Sequence, residues 1–145
     1  MSSFRLVIGN KNISSWSLRP WLLMKVADIP FAERSIRLRQ PDTRQQALAF
    51  SPSGRAPCLL TEDGPVWDSL AICEYLAERF PAKKLWPIAA RARAVARSVS
   101  AEMHSGFAAV RGQMEMAIAE TRPLPEQTGE LADQVARILQ IWQDA

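Results

Sequence analysis

The hydrophobic pattern of the first half of the chain predicts strands that alternate with helices. Phe4–Ile8 is an almost continuous apolar run of strand length, which is typical of a buried parallel strand. A helix with the apolar residues Trp21–Met24 follows, and Phe31–Leu38 forms a second strand whose end alternates between apolar and charged side chains. A strand, a helix and a strand in this order predict a right-handed parallel unit.

Pro20 limits where this first helix can begin. Proline has no amide hydrogen, so it costs a helix nothing only within the first turn. If Ser15 capped the helix, Pro20 would lie beyond that turn and one backbone bond would be lost. We therefore expect Trp16 or Ser17 to be the cap, with Ser14 and Ser15 in the loop before it.

The rest of this half completes the pattern. Pro41–Phe50 has weak helical character. Cys58–Leu60 and Val66-Trp67 are short apolar strands on either side of Asp63-Gly64, a dipeptide that favours a hairpin turn because both residues tolerate positive φ. A third helix then ends at Phe80-Pro81. The predicted order of elements is βαβαββα.

Two features of this segment predict a binding site for a small peptide. Pro57 lies at the start of a strand, because it cannot donate a ladder hydrogen bond, so the backbone of Ala56 is an open strand edge that a peptide can complete. Asp68 caps the third helix, and Ser69 is its first residue. The free amides of a helix start favour a carboxylate, so a peptide with a carboxylate suits both features.

After a linker at residues 81–87, the composition changes to alanine and arginine with helical spacing. The apolar residues of a first helix step by three or four along one face: Val95, Val99, Met103, Phe107, Val110, Met114 and Ile118. Thr121–Pro125 interrupts the pattern, and a second helix with the stripe Leu131, Val135, Ile138 and Trp142 runs to the last residue. We predict an α/β domain at residues 1–80 and a thin domain of two helices at residues 88–145.

Composition and charge narrow the class of protein. The chain has 145 residues, 48% of them apolar, so it can bury a core, and its net charge of +3 weakly favours anionic small ligands. Its arginines are scattered and form no nucleic-acid patch. Cys58 and Cys73 form no CxxC motif, so we expect neither a disulfide framework nor a metal site. No apolar run approaches the roughly 20 residues of a membrane span and no signal peptide is recognisable, so we expect a cytoplasmic protein.

Several of these features together resemble a known family. The order βαβαββα, Ala56-Pro57, Asp68-Ser69 and the sequence LAICEYL that follows are similar to the glutathione-binding domain of cytosolic glutathione transferases. The loop Ser14–Arg19 resembles the Ser-Ser-Cys-x-x-Arg loop of the zeta class, the maleylacetoacetate isomerase branch, and of a bacterial zeta-like group. Trp16 occupies the position of the cysteine in that motif. The resemblance implies a thioredoxin-like fold for the first domain, with a cis bond before Pro57.

The resemblance is weaker in the second domain. Ala90–Ala117 is similar to the first helices after the family's linker, but we expect no counterpart of its later helices, which carry a Ser/Thr-x-x-Asp capping box. The second domain is therefore predicted to be an incomplete all-α domain, either because the sequence is a fragment or because the protein is a truncated member.

The resemblance also implies how glutathione would be held. The backbone of Ala56, ahead of Pro57, would bind the cysteinyl part of glutathione. The hydroxyl and amide of Ser69 would take the γ-glutamyl carboxylate, and Asp68 would help to hold the ammonium. Arg55 is a candidate for the glycyl carboxylate, with a solvated loop position as the alternative.

The resemblance places thiol activation at the serine loop. Ser14 corresponds to the serine that stabilises the thiolate in the family. Ser15 could serve instead, or donate its backbone amide. The alternative for each serine is a structural role in a turn or a cap.

These expectations combine into a glutathione transferase that activates the thiol of glutathione for conjugation or isomerisation of a small electrophile. Met103, His104 and Phe107 are candidates for the electrophile pocket, with a helix-surface position as the alternative for His104. As in the family, we expect a homodimer. The alternative function is a non-catalytic scaffold or interaction protein that keeps the fold without a complete active cleft.

Overall fold

The computed structural model describes residues 4–144. The predicted start of the first domain at residue 1 and the predicted end of the last helix at Ala145 lie outside these residues. The chain divides into two compact units, residues 1–88 and residues 89–145. Each unit is described by itself below.

The first unit is a four-stranded mixed sheet with helices. Its elements in chain order are β1 (Arg5–Ile8), α1 (Ser15–Val26), β2 (Ala32–Ser35), α2 (Thr43–Leu48), β3 (Cys58–Thr61), β4 (Gly64–Trp67) and α3 (Ser69–Arg79). The strand order is β2-β1-β3-β4, with β2 parallel to β1 and with β3 antiparallel to both β1 and β4. The predicted order βαβαββα and the thioredoxin-like arrangement are confirmed.

Alternation along the central strands builds one core on each face of the sheet. The first core contains Leu6 and Ile8 of β1 with residues of α1, β3 and α3, namely Met24, Leu59, Ile72 and Leu76. The second core, on the side of α2, contains Val7, Ile36, Ala47 and Cys58. Burial of each large aliphatic side chain contributes about 1.5–3 kcal/mol, so this alternation fixes which face each helix covers.

The first helix begins earlier than predicted, because Ser14 is its cap. The carbonyl of Ser14 accepts from the amide of Leu18 at 3.0 Å, and its hydroxyl accepts from the amide of Ser17 at 3.4 Å. The predicted caps, Trp16 and Ser17, lie inside the helix. Pro20 also lies inside it, so one intrahelical bond is missing, but its side chain is fully buried. The cap bonds and this burial outweigh the missing bond.

The predicted linker packs against the first unit. Pro81–Lys83 forms one 3-10 turn, and the half-buried Leu85 packs against the first core. The indole of Trp86 donates to the carboxylate of Glu74 at 3.0 Å. These contacts attach the segment to α3 and its core.

Residues 89–144 of the second unit form three helices, so the prediction of two is wrong. They are α4 (Ala90–Ser105), α5 (Ala108–Gln113) and α6 (Gly129–Asp144). The predicted first helix breaks at Gly106 and Phe107, and helical structure ends at Gln113 instead of reaching Ile118. Gly106 is extended, and Phe107 adopts the left-handed conformation with φ of 60°. The apolar spacing of three or four residues continues across this break, so the hydrophobic pattern did not reveal the break.

Hydrogen bonds from other elements satisfy the backbone at the break. The guanidinium of Arg111 donates to the carbonyl of Met103 at 3.3 Å, close to the end of α4. The side-chain oxygen of Gln134, on α6, accepts from the amide of Val110 in the first turn of α5 at 3.2 Å. Groups at helix ends have no intrahelical partners, so these bonds stabilise two separate helices.

Helix α6 faces the rest of its unit along a stripe that differs slightly from the predicted one. Leu131 and Ile141 are buried, whereas Trp142, predicted to close the stripe, is 71% exposed. Arg137 forms a two-bond ion pair with Glu102 of α4 at 2.7 and 2.8 Å, and these bonds lower the pKa of Glu102. Because an α-helix has 3.6 residues per turn, the buried stripe that includes Leu131 can continue to Ile141 instead of to its neighbour Trp142.

We expect Gly106→Ala to destabilise the second unit. An added Cβ would lie 2.9 Å from the backbone carbonyl oxygen of Glu102, an atom that cannot move aside independently. Such overpacking costs about 1–3 kcal/mol and should lower the thermal midpoint. Gly112→Ala is the matched control, because nothing lies within 4 Å of its added Cβ, and it should stabilise α5 by about 0.5–1 kcal/mol. Equal midpoints for the two variants in thermal unfolding would contradict this account.

Candidate functional site

Three chain segments meet at one edge of the sheet because of its strand pairing. Val7 pairs with Cys58, and Cys58 pairs with Trp67. Since β4 and β1 run in the same direction and β3 runs in the opposite one, the ends of β1 and β4 adjoin the start of β3. We call this boundary, defined by Ile8, Cys58 and Trp67, the site edge. The Ser14 loop, Ala56-Pro57 and Asp68-Ser69 all adjoin it.

The loop after β1 is held by its own turn and by β2. The amides of Ile13 and Ser14 donate to the carbonyl of Asn10 at 3.2 and 2.9 Å. The side-chain oxygen of Asn10 accepts from the amide of Leu38 at 2.7 Å, and Leu38 lies beyond β2, which ends at Ser35 and not at the predicted Leu38. These bonds fix the position of Ser14 relative to the sheet.

Ser14 and Ser15 differ in their surroundings. Ser14 is 7% exposed, and its hydroxyl donates to the hydroxyl of Ser17 at 2.8 Å. Ser15 is the first residue of α1 and is half-buried, and its amide donates to the carbonyl of Ile13 at 3.2 Å. Ser17 was predicted to be a cap, and its buried contact with Ser14 was missed. The sequence carried one sign of this contact. Ser14 and Ser17 are three residues apart, which is the spacing between an N-cap and the residue whose amide donates to it.

Trp16 and Arg19 form a pair on the first turns of α1. The guanidinium carbon of Arg19 lies 4.2 Å from the centroid of the Trp16 ring, which is the geometry of a cation–π contact. The tryptophan thus replaces the cysteine of the resembling motif with an aromatic side chain that stacks on arginine. Helices α1 and α3 lie side by side, so the charge of Arg19 acts on Cys73 of α3 in the direction of a lower thiol pKa.

The peptide bond between Ala56 and Pro57 is cis, as the resemblance predicted. Pro57 is buried and Ala56 is half-buried directly before β3. Arg55 is exposed in the preceding loop. The backbone of Ala56 therefore adjoins the site edge, with a cationic side chain next to it in sequence.

Asp68 caps α3 through one carboxylate oxygen. Its Oδ1 accepts from the amides of Leu70 at 2.9 Å and Ala71 at 3.2 Å, so the predicted cap is confirmed. Asp68 has φ of 77° and ψ of 134°, a conformation that costs a non-glycine residue about 1–3 kcal/mol. The cap uses the second and third amides of the helix and leaves the first, that of Ser69.

Ser69 is buried, and its hydroxyl has no hydrogen-bond partner among residues 4–144. An unmet buried hydroxyl costs about 1–3 kcal/mol, so a ligand that bonds to it gains more than it would at an exposed serine. The oxygen is enclosed by protein, so contact with a ligand requires rotation about χ1 to another staggered position.

The three candidates for an electrophile pocket belong to the second unit. Met103 and His104 are half-buried in the last turn of α4. Phe107 is 6% exposed and lies at the break between α4 and α5. Burial gives Phe107 a packing role in addition to any role in a pocket.

Neither cysteine has the environment of a reactive thiol. Burial raises the pKa of Cys73 to about 11, against a smaller opposing effect of the nearby Arg19 charge. Burial also raises the pKa of Cys58, whose thiol donates to the carbonyl of Phe50 at 3.4 Å. Reactive cysteines have lowered pKa values, so the chemistry of the site edge must come from other groups.

Residues 4–144 contain neither a group of side chains that could hold a metal ion nor a helix that could span a membrane. No three His, Cys, Asp or Glu side chains gather closely enough to hold a metal ion. None of the described helices has the length and hydropathy that a membrane crossing requires.

The geometry of the first unit agrees with the comparisons with known proteins. Residues 13–79 match the family described as glutathione S-transferase, N-terminal domain. A probable maleylacetoacetate isomerase of Caenorhabditis elegans is 29% identical over 93 residues, which are 64% of this chain and 42% of that protein. Pyrimidodiazepine synthase of Drosophila melanogaster is 36% identical over 73 residues, which are 48% of this chain and 29% of that protein.

Solved structures give the same fold. A glutathione transferase homolog from Burkholderia gl BGR1, with bound glutathione, has a TM-score of 0.65 at 25% identity. The match covers 77% of this chain and 62% of that chain. Ure2p in complex with glutathione has a TM-score of 0.70 at 14% identity, and the match covers 99% of this chain and 63% of that chain. At such low identity the second likeness shows the fold alone.

The first unit is thus a thioredoxin-like domain of the glutathione transferase type. The chain is similar to the glutathione S-transferase family through this N-terminal domain. It spans less than half the length of the two curated relatives named above.

We expect the thiol of Cys73 to react slowly in the folded protein. With a pKa of about 11, roughly two units above the ordinary value, about 100-fold less of it is thiolate at neutral pH. Because the folded-state pKa is raised, this thiol stabilises the fold below pH ~8.5, and that contribution is lost as the pH rises towards about 11. Iodoacetamide labelling followed by mass spectrometry should show both cysteines reacting quickly only after unfolding in urea. Rapid native labelling that Cys73→Ser abolishes would contradict the assignment.

Proposed function

We propose that the first unit binds glutathione at the site edge and activates its thiol for conjugation or isomerisation of a small electrophile. The observation that carries the proposal is the meeting of three groups at one edge. They are a serine at a helix start, the backbone before cis-Pro57 and the unused amide and hydroxyl of Ser69. The similar Burkholderia structure, which holds glutathione, supports the choice of ligand.

Backbone and charge provide the proposed grip on the peptide. The cysteinyl part of glutathione pairs with the backbone of Ala56, as an added strand pairs with a sheet edge. The γ-glutamyl carboxylate binds at the start of α3, where the amide of Ser69 is unused and the helix dipole favours an anion. The exposed carboxylate of Asp68 attracts the ammonium, and the exposed Arg55 attracts the glycyl carboxylate.

Thiol activation is assigned to the hydroxyl of Ser14. A free thiol has a pKa of ~8.5, so little of it is thiolate at neutral pH. A hydroxyl that donates to the thiolate contributes about 1.5–3 kcal/mol, which lowers the thiol pKa by about one to two units. The start of α1 adds about 0.3–1 kcal/mol, because its dipole favours a negative charge.

A second function is favoured by one observation, the bond that the hydroxyl of Ser14 donates to Ser17. While this bond persists, Ser14 serves as a cap and has no hydrogen to give to a thiolate. A protein that binds glutathione in this state would be a non-catalytic scaffold. Glutathione-dependent turnover of an aryl halide, measured beside glutathione binding, separates the two functions.

Three further parts of the proposal concern the whole protein. The electrophile would bind near Met103, His104 and Phe107, the protein would form a homodimer, and it would work in the cytoplasm. Size-exclusion chromatography with light scattering tests the dimer. A monomer at micromolar concentration would remove that part.

We expect Ser69→Ala to weaken glutathione binding without destabilising the fold. Loss of a hydrogen bond to a carboxylate costs about 1.5–3 kcal/mol, or about 10–100-fold in Kd. Folding should not suffer, because the lost hydroxyl has no partner in the part of the chain that the structure describes. Isothermal titration with glutathione and thermal unfolding measure the two effects. Ser98→Ala is the matched control, since its hydroxyl bonds only to the carbonyl of Ala94 on an exposed helix. An unchanged Kd in Ser69→Ala would remove this contact.

We expect loss of the Ser14 hydroxyl to reduce glutathione-dependent turnover by about 10–100-fold, the effect of one hydrogen bond to a charged group. Ser14→Gly tests this best, because glycine is tolerated as a helix cap and has no side-chain hydrogen to donate. Ser14→Thr keeps both cap and hydroxyl and should retain most of the activity.

Two results in this assay would argue against the role of Ser14. If Ser15→Ala lost activity while Ser14→Gly kept it, Ser15 would be the activating group. If the wild-type protein bound glutathione but turned over no electrophile, the scaffold function would replace the transferase.

A further inference from the structure

Ser17 is a buried polar residue of α1 that the proposed function does not use. It is 3% exposed. Its hydroxyl accepts from the amide of Gly9 at 3.0 Å and from the hydroxyl of Ser14 at 2.8 Å. Its amide donates to the Ser14 oxygen at 3.4 Å. Ser17 therefore contacts Ser14 through two of its own groups.

The direction of only one of these bonds can change. A serine hydroxyl has one hydrogen and two lone pairs, whereas a backbone amide can only donate. The amide of Gly9 therefore takes a lone pair of Ser17, and the amide of Ser17 takes a lone pair of Ser14. Between the two oxygens either hydrogen can lie, because a hydroxyl hydrogen rotates to suit its partners.

We propose that Ser17 is a positioning residue that supplies its hydrogen to Ser14, so that Ser14 gives its own hydrogen to the thiolate of glutathione. This proposal rests on the proposed function. When a thiolate competes for the Ser14 hydrogen, Ser17 turns its hydroxyl and donates in the opposite direction. Ser14 then accepts two hydrogen bonds, which polarises its O–H bond and makes it a better donor.

The backbone at the end of β1 holds this arrangement in place. An added Cβ on Gly9 would lie 3.0 Å from the Ser14 oxygen and 2.5 Å from Cδ1 of Leu38. The two hydroxyls are thus packed closely against the chain. Ser17 is kept at a fixed position by the Gly9 amide whichever way its hydrogen points.

The test is the pH dependence of the thiolate in Ser17→Ala. The ultraviolet absorbance of bound glutathione thiolate is followed against pH, together with kcat/KM for an aryl halide. We expect both profiles to move up by about one pH unit, so that about tenfold less thiolate is present at lower pH. At a pH below the titration of the bound thiol, the Kd for glutathione should change by less than about twofold, because Ser17 is assigned no contact with the peptide.

A merely structural role predicts a different result. Loss of the partner of Gly9 would lower the thermal midpoint and reduce activity equally at every pH, with an unmoved thiolate titration. That outcome would overturn the proposal. Ser17→Thr restores the hydroxyl and should return the titration to the wild-type position. A folded Ser17→Thr that titrates like Ser17→Ala would also overturn it.

The same experiment separates this proposal from the proposed function. If wild-type protein bound no glutathione, or if bound glutathione formed no thiolate below the pH at which the free thiol ionises, the proposed function would fail and this inference with it. If wild-type protein showed the lowered titration and Ser17→Ala left it in place, only the role of Ser17 would fail. Ser98→Ala serves as the serine control and should match the wild type in both profiles.

Discussion

The pairing register of three strands is the constraint on which the site depends. Val7, Cys58 and Trp67 lie side by side across the sheet, so the loop after β1, the residue before β3 and the start of α3 adjoin one edge. A slip of one residue would turn each strand's side chains to the opposite face and mix the two cores. The hydrophobic alternation that stabilises the fold therefore also sets the positions of the polar groups.

Two helix starts at this edge differ in how their caps leave groups available for a ligand. At α3, Asp68 takes the second and third amides in a strained conformation, which leaves the amide and hydroxyl of Ser69. At α1, the hydroxyl of Ser14 that caps the helix is also the group proposed to activate the thiol, and it is hydrogen-bonded to Ser17. The first site suits a carboxylate because it offers hydrogens without a competing side chain. The second requires a hydrogen to be redirected before it can serve an anion.

Local patterns predicted the first unit well because most of its elements have a marker in the sequence. Asp63-Gly64 lies at the hairpin, Asp68 marks the third helix, and apolar runs mark β1 and β3. The cis bond at Pro57 could be expected only from family resemblance. The start of α1 was mispredicted because the rule for proline was weighed without the packing that buries Pro20. The break at Gly106 was missed because hydrophobic period says nothing about backbone bonds supplied by Gln134, which is distant in sequence.

The distribution of the candidate residues separates the proposed binding and activation of glutathione from the proposed binding of the electrophile. Every group assigned to glutathione, from Ser14 to Ser69, belongs to the first unit and is positioned by its sheet and its two helix starts. The groups assigned to the electrophile belong to the second unit, where Phe107 already has a packing role at a helix break. Packing at Phe107 limits how far substitutions there can retune an electrophile pocket. In this proposal the grip on the peptide depends on the register of one sheet, while the choice of electrophile depends on the second unit, within the limit that packing sets at Phe107.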